Sequence, residues 1–170
     1  MSETNKRVAL ISLHRDDTSG NPPLGSLYLA TALKKNGFIP KIIFKSESQI
    51  GQIESEIEDF RPALIGMSVF TGYLNKRCVD LSRQLKDRGY LIVWGNAHAS
   101  LLPEQVLREP AIDFVVIGEG EETLVELMQN LGQSENYKNI TGLGFKDRDR
   151  KIVINPRRSF GDMDVYLIDW

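Results

Sequence analysis

Hydrophobic residues in this chain form short β-rich runs that alternate with longer segments of helical periodicity. The runs carry β-branched and aromatic residues, as buried strands do, and they span residues 8–13, 41–44, 63–70, 90–94 and 113–117. The segments between them are amphipathic; the clearest places Leu74, Cys78, Leu81 and Leu85 on one helical face. Strand and helix alternate five times, which predicts a parallel sheet with helices on both faces.

Right-handed crossovers leave few ways to connect five such strands, and they favour the flavodoxin-like order 2-1-3-4-5. After Ser134 the pattern changes, because β-like runs at 140–145 and 151–154 flank a polar loop, which predicts an appended hairpin. We therefore predict a flavodoxin-like or Rossmann-like, doubly wound α/β domain over residues 1–135. Residues 136–170 are predicted to form a β-hairpin and a linker, and the apolar final residues suggest a segment cut from a longer chain.

Composition excludes several classes of function. The chain has 170 residues, 41% of them hydrophobic and 26% charged, with a net charge of −2. Nothing in this balance suggests a nucleic-acid partner, and no apolar run reaches the roughly 20 residues that span a bilayer. The polar N-terminus has no signal-peptide core. The only cysteine is Cys78, so no internal disulfide can form, and a cytoplasmic location is expected.

Two glycine-bearing loops follow the fourth and fifth predicted strands, at residues 95–100 and 118–121. In an open α/β sheet, ligands bind beyond the carboxyl ends of the strands, where these loops would lie side by side. Glycine lets a backbone turn sharply and lets a ligand approach it closely. The two loops therefore predict part of a binding rim.

Common phosphate-binding motifs are absent from this rim. A dinucleotide site needs G-x-G-x-x-G after the first strand, where this chain has His14, Arg15, Asp16 and Asp17. A P-loop sequence is also missing. The acidic pair resembles that of a phospho-receiver domain, but the third strand ends in Ser68 where a receiver needs an aspartate.

The remaining motifs together resemble the cobalamin (B12)-binding domain that precedes the catalytic barrel in B12-dependent radical S-adenosylmethionine (SAM) enzymes. The resemblance covers about residues 8–155 and depends on the order and spacing of its motifs. They are Pro22-Pro23-Leu24-Gly25, Gly66-Met67-Ser68, the loop 95–100 with Pro103-Glu104, and the strand 113–116 leading into 118–123.

This resemblance implies a corrinoid at the carboxyl edge of the sheet, with the nucleotide tail of the cofactor in a slot between the sheet and a helix. Classical B12 domains use S-x-L at the third strand and a Gly-Gly pair at the fourth, where this chain has Ser68-Val69-Phe70 and Gly95-Asn96. The implied cofactor contacts are Leu24, Gly25, Ser68, Val69, Phe70, Gly95, Asn96, His98, Gly118, Glu119 and Gly120.

The resemblance also makes His14 the candidate cobalt ligand. Many B12 domains carry D-x-H-x-x-G after the first strand, and His14 stands in the histidine position. Ser12 replaces the aspartate and Asp17 the final glycine. A ligating imidazole is usually oriented by a carboxylate on its other nitrogen, which Ser12 does not provide. The alternative for His14 is an exposed loop histidine.

In such enzymes a 4Fe-4S cluster cleaves SAM, and the reaction is often methyl transfer. The cluster needs a C-x-x-x-C-x-x-C loop, so a chain with one cysteine is not catalytic alone and would present its corrinoid to a radical SAM barrel of the same protein. One alternative is a module that has lost its cofactor and only docks the barrel. Another is an unrelated flavodoxin-like transferase, whose catalytic carboxylate would be one of Asp16, Asp17, Glu119 and Glu121.

Overall fold

The fold is that of a computed structural model, which describes residues 4–17 and 23–159. Pro22 of the predicted motif and the predicted linker residues 160–170 lie outside these ranges. Within them, seven strands form one sheet in the order β2-β1-β3-β4-β5-β6-β7. The strands are β1 (Arg7–His14), β2 (Ile39–Ser46), β3 (Leu64–Ser68), β4 (Ile92–Gly95), β5 (Phe114–Val116), β6 (Leu143–Lys146) and β7 (Ile152–Ile154).

Helices cover both faces of the sheet and give it two hydrophobic cores. Because side chains alternate along a strand, Leu10 packs into the core under α1 and α6, while Ile11 packs into the core under α2, α3 and α5. In the described residues, no helix is both long and apolar enough to cross a membrane. The helices are α1 (Leu24–Lys35), α2 (Ile50–Phe60), α3 (Asn75–Asp87), α4 (Ala97–Leu101), α5 (Pro103–Leu107) and α6 (Glu121–Gln129).

This topology confirms the predicted fold class. Strands β1 to β5 pair in parallel in the order 2-1-3-4-5. The hairpin of β6 and β7 adds to β5 in antiparallel fashion, so it extends the same sheet. A Cβ atom added at Gly144 would lie 2.5 Å from Val115 Cγ2, so the absence of a side chain there lets β6 approach β5 closely.

Two local features differ from the sequence prediction. The third strand was predicted to reach residue 70 but ends at Ser68, because the apolar run continues past the strand into the following loop. Helix α4 was not predicted. It has only five residues, too few to display helical periodicity, and it begins where Asn96 Oδ1 accepts a hydrogen bond from the Ala97 backbone N–H.

Cys78 lies in the core, as predicted, and is 2% exposed. Burial raises the pKa of its thiol to about 12. The thiolate is the reactive form of cysteine, so this side chain remains protonated and acts as a small apolar residue of α3.

The segment after β7 returns to the carboxyl edge of the parallel strands. Arg158 makes ion pairs with Glu122 at 2.6 Å and Glu126 at 2.8 Å, both on α6. Its neighbour Arg157 donates a hydrogen bond to the carbonyl oxygen of Ser100 on α4. These contacts hold the segment between the N-terminal end of α6 and α4.

We expect Arg158→Gln to lower the free energy of unfolding by about 1 kcal/mol, because it removes two ion pairs made by a largely buried guanidinium group. Arg148→Gln is the matched control, since Arg148 is 81% exposed and its pair with Glu135 spans 3.6 Å. Urea unfolding of both variants measures the difference. Equal losses would contradict the assigned role of Arg158.

Candidate functional site

A groove of about 240 Å³ opens at the carboxyl edge of the sheet, on the face covered by α1 and α6. Residues of β1, β3, β4 and β5 form one wall, and the first turns of α1 and α6 form the other. This is the edge at which open α/β sheets bind ligands. The structure brings together these predicted contact residues along the groove: Gly25, Ser68, Gly95, Asn96, Gly118, Glu119 and Gly120.

The other predicted contacts do not line the groove. Val69 is buried in the core on the opposite face of the sheet, since it follows Ser68 directly and strand residues alternate. Leu24 and Phe70 are exposed at 52% and 67%, beside the groove rather than in it. Their assignment as cofactor contacts stays a prediction.

His98 also lies outside the groove, on the opposite face of the sheet. The unpredicted helix α4 places its imidazole in a buried position near α3. There Nε2 accepts a hydrogen bond from Asn75 Nδ2 at 2.9 Å, so Nδ1 carries the proton and donates to Thr71 Oγ1 at 3.1 Å. The observed role of His98 is to connect α4 with the loop between β3 and α3.

Three glycines keep the groove open. A Cβ atom added to Gly25, Gly95 or Gly118 would meet no heavy atom within 4 Å, so a side chain there would extend into free space along the groove. Gly118 also has a φ of +84°, which favours glycine. Gly120 differs, because a Cβ atom there would lie 3.0 Å from Leu29 Cδ2, in the contact between α6 and α1.

Asn96 has a backbone conformation that is normally reserved for glycine. Its φ of +76° and ψ of −166° lie in a region that other residues avoid. Its side chain offsets part of the strain, because Nδ2 donates to Ser68 Oγ at 2.9 Å and Oδ1 accepts from the Ala97 backbone N–H at 2.6 Å. The second residue of a Gly-Gly pair would adopt the φ observed at residue 96 without this strain.

We expect Asn96→Gly to be more stable than Asn96→Ala by about 1 kcal/mol or more. Both variants lose the two side-chain hydrogen bonds, but only glycine adopts the observed φ without strain. Urea unfolding of the two proteins measures the difference. Equal stability would mean that the backbone at residue 96 is not strained.

His14 ends β1 on the groove side but does not line the groove. Its Nδ1 donates to the Arg15 carbonyl oxygen at 3.0 Å, and its ring lies 4.6 Å from the Phe44 ring. Ser12 does not orient this histidine, because its hydroxyl bonds to Ser26 Oγ at 2.9 Å. Among the described residues, no three His, Cys, Asp or Glu side chains are grouped as metal ligands. Cobalt ligation by His14 stays a prediction.

Glu121 lines the groove, although the sequence analysis named it only as a candidate carboxylate of the alternative transferase and not as a cofactor contact. It is 8% exposed, and burial raises the pKa of its carboxyl group, as do the nearby Glu119 and Glu122. Hydrogen bonds from the backbone N–H groups of residues 120 and 121 act in the opposite direction. A signal was available in the sequence, since Glu121 precedes Leu124 by three residues and therefore shares its face of α6.

Known proteins resemble this chain at the level of a family model and of individual relatives. A family model described as B12 binding domain matches residues 18–128. The chain is 30% identical over 148 residues to "Uncharacterized methyltransferase PH0819" of Pyrococcus horikoshii, covering 84% of this chain and 32% of the relative. It is 27% identical over 165 residues to "Anaerobic magnesium-protoporphyrin IX monomethyl ester cyclase" of Rubrivivax gelatinosus, covering 91% and 30%. The chain thus spans about a third of the length of these relatives.

Solved structures share the fold. The cobalamin-dependent SAM radical enzyme OxsB, with aqua-cobalamin and SAM bound, superposes with a TM-score of 0.77 at 23% identity, over 91% of this chain and 22% of OxsB. The radical SAM methyltransferase TsrM from Kitasatospora setae, with cobalamin and a [4Fe-4S] cluster bound, gives a TM-score of 0.74 at 19% identity, over 92% and 30%. The flavodoxin-like architecture predicted from the sequence therefore occurs in both proteins.

Proposed function

The chain belongs to the B12-binding domain family, and on this premise we propose that its groove holds the nucleotide tail of cobalamin while the corrin ring lies at the rim. The observation that carries the proposal is the position of the groove. It opens at the carboxyl edge of the parallel strands, and most of its lining residues fall within the matched range 18–128.

The walls of the groove fit such a ligand. Leu29, Val93, Val116 and Leu124 make much of its surface apolar, and polar side chains such as Ser68 are few. Small-molecule sites generally combine an apolar lining with a few placed polar groups. The space beside Gly25, Gly95 and Gly118, where an added Cβ atom meets no heavy atom within 4 Å, is where we place the flat heteroaromatic group of the tail.

The residues that would hold the cofactor are Gly25, Ser68, Gly95, Asn96 and the loop 118–120. When bound, cobalamin supplies a cobalt centre that can carry a one-carbon group. The protein's own contribution is to bind and orient, because the groove glycines admit the ligand and the hydrogen bond from Asn96 to Ser68 holds the ends of β4 and β3 together.

We further propose that this module, residues 1–135 with the hairpin and linker of 136–170, belongs to a longer radical SAM enzyme. Its barrel would bind SAM and a 4Fe-4S cluster and would carry out the chemistry, with this segment non-catalytic alone. The names of the relatives divide between methyltransferases and a ring-forming cyclase. Methyl transfer or a related reaction is therefore the proposed activity of the whole protein.

Two observations support a barrel that covers the rim. Phe70 and Tyr73 follow β3, and Leu101 ends the helix after β4, so these apolar side chains, exposed at 66–69%, belong to the loops at the carboxyl edge. Exposed apolar side chains at such an edge suit a contact surface. Arg157 and Arg158 fix the segment that follows β7 at the same edge. A barrel that continues from this segment would lie over the corrin ring.

A cytoplasmic location is also proposed. It depends on the only cysteine of the sequence, Cys78, which is buried as a free thiol. Reduced cysteines are typical of the cytoplasm.

A second candidate function is a docking module without a cofactor. The specific observation in its favour is Ser12, which stands where the motif has an aspartate and is hydrogen-bonded to Ser26 instead of His14. Such a module would keep the fold and the contact with the barrel but would not bind a corrinoid.

Titration of the chain with hydroxocobalamin, followed by visible absorbance and calorimetry, separates the two functions. We expect saturable binding, weaker than that of the full-length enzyme because the barrel no longer covers the corrin ring. Absence of saturation up to about 1 mM, equivalent to about 4 kcal/mol of binding free energy, would favour the docking module.

The same titration tests His14. If His14 ligates cobalt, His14→Ala changes the visible spectrum of the bound cofactor. An unchanged spectrum, with saturable binding retained, removes His14 as a ligand and leaves it as a loop histidine.

A further inference from the structure

We propose that Glu121 couples corrinoid binding to proton uptake, because a nucleotide tail in the groove favours the neutral form of its carboxyl group. The inference deepens the proposed function and rests on it. It assigns a role to a residue that was not among the predicted cofactor contacts.

The first observation that supports this proposal is the buried position of Glu121. It is the first residue of α6, yet its side chain is almost fully buried and borders the groove. First-turn carboxylates are usually exposed, where they favour the helix N-terminus as charged groups. The neighbouring Glu122 follows that pattern, being exposed and paired with Arg158. Glu121 instead faces the space that a bound ligand would occupy.

Within residues 4–17 and 23–159, the groove lining offers Glu121 no positively charged side chain. Among the described residues that line the groove, the titratable side chains are Glu121 and Glu119. The elements packed against α6 contribute Gly25, Ser26 and Leu29 from α1, and apolar side chains from β1 and β5. Arg158 binds the carboxylate of Glu122 on the other side of the first turn.

Ligand binding in the groove would bury the Glu121 carboxyl group further. Glu121 lines the groove and is 8% exposed, so an apolar ring bound in the groove would displace water from beside its carboxyl group. Removing water from a carboxyl group disfavours its charged form. The already raised pKa of Glu121 in the free protein would therefore rise further in the complex.

The direction of the pH dependence follows from linkage. A group whose pKa is higher in the complex takes up a proton on binding, so affinity is greatest below the free-state pKa. Between the free-state pKa and the bound-state pKa, affinity falls by about tenfold for each pH unit. Above the bound-state pKa it no longer changes with pH.

The experiment measures the affinity of the chain for hydroxocobalamin by calorimetry between about pH 5 and about pH 8, for the parent protein and Glu121→Gln. Glutamine has the size of the neutral acid and does not ionise. We expect equal affinities at the acid end and about tenfold tighter binding by the variant at the alkaline end. The ligand's own ionisations are common to both proteins and cancel in this comparison.

A control variant and an independent measurement of proton uptake accompany this experiment. Glu104→Gln is the matched control, since Glu104 is an exposed first-turn residue of α5 outside the groove, and its profile should follow the parent protein. Proton uptake is measured on the parent protein from binding enthalpies in phosphate and in Tris, whose ionisation enthalpies differ. Because the ligand's own ionisations cancel only between two proteins, Glu121→Asn replaces Glu121→Gln in the comparison if Glu121→Gln does not fold.

Each outcome has one meaning. Proton uptake by the parent protein near neutral pH, lost in Glu121→Gln, supports the inference. Saturable binding without proton uptake, or with the same pH profile in both proteins, overturns it while leaving the corrinoid site intact. Failure of the parent protein to bind hydroxocobalamin at every pH overturns the proposed function, and this inference falls with it.

Discussion

Gly95→Leu should weaken hydroxocobalamin binding by about 100-fold or more, equivalent to about 2.7 kcal/mol, without unfolding the protein. Gly95 ends β4 and lines the groove, and a Cβ atom added there meets no heavy atom within 4 Å. The φ of Gly95 is not positive, so its backbone conformation does not require glycine. A leucine side chain is therefore accommodated by the fold but occupies the volume that the ligand needs.

Gly51→Leu is the matched control for this prediction. Gly51 lies on the exposed surface of α2, has the same free space around it, and is distant from the groove lining. Calorimetric titration gives the two affinities, and urea unfolding verifies that both variants are folded. Unchanged affinity in Gly95→Leu would mean that the corrinoid binds elsewhere.

Gly120→Trp and Asn96→Trp are less decisive blocking variants. A side chain at residue 120 would collide with Leu29 and Val116, at 3.0 and 3.2 Å from its Cβ atom. A tryptophan at residue 96 would have to adopt a glycine-like φ. Loss of binding in either variant could follow from altered packing, whereas Gly95→Leu isolates the filling of the groove.

Trp94→Ala should lower the free energy of unfolding by about 4 kcal/mol, the largest stability effect that we expect from one substitution. The indole is 1% exposed and belongs to the core under α2, α3 and α5. Its Nε1–H donates to Ser82 Oγ at 3.0 Å, and that hydroxyl donates to the Cys78 carbonyl oxygen at 2.8 Å. Alanine leaves a cavity and removes this connection between β4 and α3.

Trp94→Phe is the graded control, because it keeps one ring and loses the hydrogen bond. We expect it to cost about half as much. Urea unfolding with comparison of midpoints and m-values measures both variants. A loss below about 1 kcal/mol in Trp94→Ala would contradict tight packing at this position. Because Trp94 and Gly95 face opposite sides of the sheet, adjacent substitutions should separate stability from binding.

The fold was largely predictable because its signals are local. Alternation of five β-rich runs with helical segments, followed by two further runs, is sufficient to predict a parallel sheet with an antiparallel hairpin. The rule for crossover handedness then leaves the order 2-1-3-4-5. Helix α4 was missed because five residues carry no period, and the end of β3 was misplaced because Val69 and Phe70 continue its apolar run.

The site was predictable where it depends on position after a strand. Gly95 ends a parallel strand, and Asn96 and Gly118 come just after parallel strands. These three residues therefore had to meet at one edge of the sheet. Alternation along β3 also places Ser68 and Val69 on opposite faces. Of these two residues, only Ser68 lines the groove. His98 could not be placed in this way, because its direction is set by the short helix that carries it.

The sequence by itself determined the fold class, the family and the edge at which the groove lies, since periodicity and motif spacing are properties of neighbouring residues. Only the tertiary structure decided which side chains enter the groove, that Asn96 adopts a glycine-like conformation, and that Glu121 is buried beside the ligand space. Those features depend on the packing of α6 against α1 and on the joining of β3 and β4, which bring distant residues into contact. Burial and backbone strain come from such contacts, so no local pattern along the chain could define them.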